Sequence, residues 1–377
     1  MASKPKKIEG DEKPKKAPLS AFSMSDLDPV GYLSSGIYPL DLQLGNAQGD
    51  KTMPMGIGRG KMIEFFGPNK SAKSEVAQIF IRSALQDPLF EVKYFDQEWS
   101  ADARKMGITP EQWAERGELF RADNLEQFYA QCLWDLKILL KKQNEMKLRG
   151  SSKAPGLLIV LDSMAALKCK ANADKEVGDV VIGGEARLNS EELPRLRKYV
   201  GLTGSILIWV NQTRGKMGST MPGATNETTP GGEATRFYAD YRVRMAYAGN
   251  LWLRTGKTAP TDKSKPDGFL TVARFIKNKM APPMGELEMA VWYTPPEPGS
   301  RSGINETWTI FNILHAKKRI KSAGGRYKLT GMSESFTRSD WMEMFSSRKL
   351  EILAIFDKAM LSTGKVETGD DDDDDDD

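Results

Sequence analysis

Short apolar runs, each ending in polar residues, recur along the first part of the chain: Met62-Ile63-Glu64-Phe65-Phe66, Val92-Lys93-Tyr94-Phe95-Asp96, Leu157–Asp162 and Ser205–Gln212. Runs of this length predict buried strands, and their continuity predicts parallel members covered on both faces. Residues at helical spacing lie between them. Val76, Ile79, Phe80, Ser83 and Ala84 form one such pattern; Leu125, Phe128, Cys132, Leu133, Leu136, Leu139 and Leu140 form another, read as packing. Strand alternating with helix predicts an α/β protein with a central, mostly parallel, twisted sheet flanked by helices. Tyr241–Tyr247, Phe269–Ile276, Leu287–Tyr293 and Thr307–Leu314 alternate more, and are expected to extend the sheet with antiparallel strands. The pattern turns helical again around Trp341, Phe345, Leu350, Leu353, Ile355 and Phe356. This divides the chain into a core over 34–314 and a small α+β C-terminal domain over 315–365. A basic disordered tail and oligomerisation segment over 1–33 precede them, and an acidic tail over 366–377 follows.

The first strand runs straight into Gly67-Pro68-Asn69-Lys70-Ser71-Ala72-Lys73-Ser74 and then into helix. Strand, loop and helix are the context of a phosphate-binding P-loop, G-x-x-x-x-G-K-[ST]. Backbone N–H groups and the helix N-terminus cradle phosphate oxygens, Lys73 reaches the β- and γ-phosphates, and the Ser74 hydroxyl holds Mg²⁺. Ala72 replaces the second glycine, so its Cβ is expected to crowd the phosphate and to resist a positive φ; Lys70 adds a second cation. A chance glycine- and serine-rich turn is the competing reading of the loop taken alone. Its companions weigh against that. Asp162, at the end of an apolar strand, is the Walker-B type of Mg²⁺ ligand, or else a cap for the next helix. Glu98 stands just past a strand end, where an ATPase holds the base that polarises water, or else is simply solvated. Gln212, at another strand tip, is placed to hydrogen-bond a γ-phosphate.

The whole chain carries 54 Lys+Arg against 51 Asp+Glu, but eight of the acids are the terminal run Asp370–Asp377. The preceding 369 residues therefore hold 54 bases against 43 acids, a surplus of eleven. A basic body with an acidic tail fits a polyanion binder with a built-in competitor; solvation alone is the simpler reading of the tail. Two glycine-rich loops follow strand ends, 174–186 and 213–232. Arg214, Lys216, Thr228, Thr229, Gly231 and Gly232 are phosphate-contacting types, and Ile182 and Met217 are apolar residues suited to wedging between bases. A single histidine, His315, excludes multi-histidine metal sites. Cys132 and Cys169 cannot build a disulfide framework and read as reduced structural thiols. With no signal-like start and no membrane-length apolar run, a soluble cytoplasmic protein without a membrane partner is expected.

Taken in order, GPNKSAKS, YFDQE with ARKMGI soon after, LLIVLDSMAAL, LIWVNQ, TTPGGEATRFYA, KNKMAPP and KSAGGRYKL resemble the bacterial RecA family of recombinases over roughly residues 34–360, in a divergent form compatible with a viral origin. The resemblance implies a RecA-like P-loop ATPase core that uses ATP and Mg²⁺ and forms helical filaments on single-stranded DNA. It also implies homologous pairing with duplex DNA and strand exchange in recombination and repair, with a single-stranded-DNA-binding protein or loading mediator as a further partner. It implies that Lys73, Ser74 and Asp162 hold ATP–Mg²⁺, that Glu98 positions the water, and that Gln212 links the γ-phosphate to the second loop. Lys277 and Lys279 match lysines that reach into a neighbouring subunit's ATP site, and Phe237 matches an interface residue. The two loops match the DNA-binding loops, with Arg187, Ser190, Arg214, Lys216, Met217, Gly231 and Gly232 as contacts. Arg274 and the basic C-terminal domain match the surface that admits duplex DNA, and the acidic tail matches the segment that restrains it. The family's adenine-stacking tyrosine is missing after Glu98; Asp102 is expected at the edge of the base, and Trp99 is a candidate for its face. Two other readings stay open: an ATP-binding filament or mediator protein with little hydrolysis, and a hexameric helicase-type motor on the same core.

Overall fold

The computed structural model describes residues 31–45, 56–150, 155–173, 183–215, 227–253, 256, 264–281, 285–295 and 301–361. Nine strands build the main sheet: β1 (Met62–Gly67), β2 (Phe90–Asp96), β3 (Gly117–Phe120), β4 (Gly156–Asp162), β5 (Ile206–Gln212), β6 (Tyr241–Leu251), β7 (Gly268–Asn278), β8 (Glu286–Trp292) and β9 (Gly303–Asn305). Their order is β9-β8-β7-β6-β1-β5-β4-β2-β3. From β6 to β3 every neighbouring pair is parallel, while β6–β7, β7–β8 and β8–β9 are antiparallel. The expected antiparallel extension therefore begins one strand later than the pattern implied. β6 runs parallel to β1, Tyr241 beside Ile63, and antiparallel only to β7.

Why the central strands lack alternation is visible in β4. Leu158 and Val160 pack with helix α2 (Lys73–Gln86), after the short α1 (Tyr38–Leu44), on one face. Leu157, Ile159 and Leu161 pack on the other face with α3 (Leu125–Leu148) and α4 (Gly184–Thr203). Each residue meets a helix layer, so every position must be apolar. The parallel strands all point their C-terminal ends at one edge, where Gly67, Asp96, Asp162 and Gln212 emerge.

Thr307–Leu314, expected as a strand, is the body of α6 (Glu306–Ala316), which follows the short α5 (Glu233–Tyr238). The Asn305 side chain caps it, accepting from the Trp308 N–H at 3.0 Å. Thr307 through Asn312 and Leu314 are all buried, so α6 is covered nearly all round and shows no amphipathic stripe. A short helix of that kind is indistinguishable from a buried strand by periodicity. Beyond it lie β10 (Ile320–Ala323), β11 (Arg326–Leu329), β12 (Ser335–Phe336), α7 (Trp341–Ser347) and α8 (Lys349–Leu361). Trp308, Phe311, Trp341 and Phe356 share one core with Leu270, Ala290 and Trp292 of the sheet, so the C-terminal module is packed onto β7 and β8. No helix among the described residues is long and apolar enough to cross a membrane.

Candidate functional site

The P-loop leaves β1 at Gly67, where an added Cβ would come 2.0 Å from the carbonyl oxygen of Met245; only glycine allows β6 so close. From the antiparallel β7, Thr271 donates its hydroxyl to Ser71 O at 2.9 Å and so pins the loop. Lys73, at the first position of α2, is folded back along the loop, donating to Pro68 O at 2.7 Å and to Ser71 Oγ at 3.4 Å. Burial pushes the Lys73 pKa down, partly opposed by the charges of Glu98, Asp162 and Glu75. A desolvated cation at a helix N-terminus is prepared for a phosphate that would replace those weak acceptors.

Ala72 adopts φ 63°, ψ 26°, the left-handed conformation that glycine takes at no cost. The chain has kept the loop geometry and accepted the strain of a Cβ, about 1–2 kcal/mol. Ala72→Gly is therefore expected to raise stability by about 1 kcal/mol after the looser unfolded chain is counted. Thermal melting checks this; an unchanged or lower melting temperature would show that the loop has relaxed around the methyl group.

Three strand ends meet at Glu98. Glu98 Oε1 accepts from the Ser163 hydroxyl at 2.7 Å and from Gln212 Nε2 at 3.1 Å. The turn carrying Glu98 is organised by the fully buried Asp96, which accepts from the N–H groups of Ser100 (3.0 Å) and Ala101 (2.9 Å). Asp162 is fully buried, and its Oδ1 has no hydrogen-bond partner among the described residues. Burial pushes its pKa up to about 6, with the Ser74 hydrogen bond opposing and Glu98, Asp96 and Glu75 adding to the rise. An orphaned carboxylate oxygen beside a serine hydroxyl fits Mg²⁺, which takes one or two protein ligands and fills its shell with phosphate and water.

These groups open on a cleft of about 530 Å³ running along α2. At its far end Met106, Phe269, Tyr293 and Ile304 make an apolar and aromatic wall suited to a base. Tyr293 is 58% exposed and its ring lies 5.6 Å from that of Phe269. This wall was not legible in the sequence, because its members come from separate strands and loops. The two residues near Glu98 expected as base contacts lie outside the lining of this cleft. Trp99 turns away, 73% exposed, with the Arg121 guanidinium 3.6 Å from its ring centre. Asp102 is half-buried before the short helix Ala103–Met106, and neither residue lines the cleft.

The site connects physically to the loop bases. Asn211, next to Gln212, is fully buried and donates from Nδ2 to Glu64 Oε1 (3.0 Å) and to Pro230 O (3.0 Å). Glu64 is in turn ion-paired with Arg242 at 2.6 Å. Pro230 leads into Gly231 (φ 97°) and Gly232 (φ 79°), where a Cβ would come 2.7 Å from Ala186 Cβ of α4. Asn189 of α4 donates to Gly231 O at 2.9 Å and is itself held by Tyr129 at 2.6 Å. The bases of the two loops are thus packed together. Arg187 is exposed and paired with Glu191 at 3.1 Å; Ser190, also exposed, donates to Ala186 O at 2.8 Å. Thr228 accepts from Arg236 at 3.2 Å, the Thr229 hydroxyl is buried without a partner among the described residues, and the backbone of Arg214 pairs with Thr228. Ile182, Lys216 and Met217 lie outside the described residues, as do both chain ends.

Asn211→Ala should lower stability by about 1–3 kcal/mol, because Glu64 and Pro230 would each lose a buried donor. It should also reduce any stimulation of ATP hydrolysis by DNA more than the basal rate. Urea unfolding and paired ATPase assays check both, and intact stimulation would remove Asn211 as the link.

A family model described as the RecA N-terminal domain matches residues 146–296. The RecA protein of Streptococcus pneumoniae strain Hungary19A-6 is 29% identical over 354 residues, covering 87% of this chain and 79% of that protein. The RecA protein of strain CGSP14 matches with the same values. Over most of its length the chain is similar to these RecA proteins. Among solved structures, the crystal structure of the RadB recombinase matches with a TM-score of 0.43 and 18% identity, covering 69% of this chain and 96% of that one.

Lys277 and Lys279 lie at the opposite end of the sheet from the P-loop. Asn278 is level with Tyr241, and Tyr241 with Ile63 at the start of β1. That is about 13 Å along the strand from Gly67. Lys277 Nζ donates to Arg236 O (3.0 Å) and Phe237 O (2.9 Å), capping α5. Lys279 pairs with Asp240 at 3.1 Å. Beside them Phe237 is 71% exposed. Arg274 faces Glu286 across β7 and β8 in an exposed pair at 2.6 Å.

Proposed function

We propose that the protein is a DNA-dependent ATPase that forms a helical filament on single-stranded DNA and carries out homologous pairing and strand exchange. One observation supports the reading: Glu98 and Gln212 are hydrogen-bonded beside the P-loop, and Asn211 ties that point to Pro230 and the paired loop bases. A γ-phosphate oxygen would compete for the Gln212 amide, so nucleotide state and loop position become one equilibrium. Mg²⁺ held by Ser74 and Asp162 would supply charge neutralisation on the phosphates. Lys73 positions the γ-phosphate, and Glu98 takes a proton from the attacking water.

Lys277, Lys279 and Phe237 form an exposed cationic and aromatic patch that cannot reach the cleft of its own chain. It fits the reading in which a neighbouring subunit completes the ATP site. DNA contacts are assigned to Arg187, Ser190, Arg214, Lys216, Met217, Ile182, Thr228, Thr229, Gly231 and Gly232, and duplex admission to Arg274. Contacts mainly to phosphate suit a protein that must accept any sequence. Binding should weaken steeply with salt, as neutralised phosphates release counterions.

A second reading, a nucleotide-gated filament or mediator with little hydrolysis, is favoured by one feature: the strained Ala72 in the loop. Steady-state ATP hydrolysis with and without single-stranded DNA separates the two. Strong stimulation supports the recombinase; nucleotide-dependent DNA binding without stimulation supports the mediator. Electron microscopy of the ATP-bound complex tests the assembly, and closed rings would point to a helicase-type motor instead.

A further inference from the structure

Beyond the nucleotide cleft, an adjoining cavity carries two cations that the chemistry above does not use. Arg82 stands on α2 nine residues beyond Lys73, about 13 Å along the helix axis. It is half-buried and lines both the cleft and an adjoining cavity of about 340 Å³. Arg301, just before β9, lines the same second cavity. Its guanidinium lies against the backbone of Gly107, where a Cβ would come 2.5 Å from Nη1. The two arginines feel each other's charge: burial lowers the Arg82 pKa, and Arg301 lowers it further.

Neither arginine makes a hydrogen bond or ion pair with another described residue. The carboxylate in the cavity wall, Glu306, is already engaged. Its Oε1 accepts from the Tyr38 N–H at 3.0 Å, and its Oε2 pairs with Lys349 at 2.7 Å. Ser83, Gln86 and Thr307 supply further polar groups around the space, and the N-terminus of α6 adds positive potential. Two like charges held together without a counter-ion repel, and an anion placed between them removes that cost.

We propose that Arg82 and Arg301 form a phosphate subsite continuous with the nucleotide cleft, on the side away from the P-loop. The inference rests on reading that cleft as the nucleotide site. The phosphate comes either attached to the sugar of the bound nucleotide or as the free ion; planar guanidinium forks suit both.

Calorimetry on the full-length chain at fixed ionic strength tests it. ATP and adenosine 3′-phosphate 5′-triphosphate are titrated separately. Inorganic phosphate is titrated onto the free protein and onto protein saturated with β,γ-imido-ATP, whose P-loop is already filled. The sugar-phosphate source predicts that the 3′-phosphorylated nucleotide binds about tenfold tighter than ATP. The free-ion source predicts that inorganic phosphate still binds the analogue-saturated protein. In either case Arg301→Gln removes the gain and leaves ATP affinity within about twofold, and Arg82→Gln removes it as well. The proposal is overturned if neither phosphate source shows the extra binding, or if the gain survives Arg301→Gln. It is likewise overturned if both phosphate arms are blank while Arg301→Gln weakens self-association, which would make the pair a contact between subunits. Failure of ATP itself to bind would remove the nucleotide reading, and free phosphate on wild type against Arg301→Gln would still decide the subsite.

Discussion

Lys73→Ala is expected to cut ATP turnover by about a hundredfold to a thousandfold, with or without single-stranded DNA. The lysine is the cation inside the loop, and its present acceptors, Pro68 O and Ser71 Oγ, are neutral groups that a phosphate would displace. Its loss should fall on chemistry and not on folding. Burial already disfavours the charged amine in the folded chain, so alanine removes a desolvation cost along with two hydrogen bonds. Steady-state hydrolysis beside a thermal melt separates the effects: low turnover with an intact melt is the expected pair. Turnover within tenfold of wild type would mean that the P-loop is not where ATP is split.

Glu98→Gln should keep ATP and DNA binding and lose hydrolysis by about two to four orders of magnitude. Glutamine has the same shape, and its carbonyl oxygen still accepts from Ser163 and Gln212, so the three strand ends stay assembled. What disappears is the basic oxygen that takes the proton from water. DNA complexes of the variant should therefore persist after ATP addition where wild type turns over and dissociates. Single-turnover hydrolysis together with DNA dissociation in ATP measures both. Unchanged turnover would remove Glu98 as the base and leave it as a hydrogen-bond acceptor for Gln212.

The P-loop and the Asp162 strand were legible because each is a contiguous pattern whose chemistry needs fixed spacing along the chain. Gln212 and Glu98 were legible singly, as polar residues at strand tips. That they share one oxygen follows only from β4, β2 and β5 being neighbours or near neighbours in the sheet. Asp96 carried no separate signal: a strand-end aspartate reads the same whether it organises a turn or faces water. The misread α6 shows the converse. Its burial on nearly every side erased the amphipathic stripe by which a helix is recognised. The aromatic wall of the cleft was hidden for a related reason: Phe269 and Tyr293 come from β7 and the end of β8, far from Glu98 in sequence.

By itself, then, the sequence determined the fold class and marked the strand–loop–helix of P-loop pattern and the strand-end Asp162, since strand period and turn chemistry are local properties. Tertiary structure decided what depends on distance between remote residues. It joined Gln212 to Glu98, set Lys277 and Lys279 at the far end of the sheet from the P-loop, and brought Arg82 and Arg301 to one cavity. Those outcomes follow from strand order and register, which bring together residues more than a hundred positions apart and leave no trace in the spacing of either one.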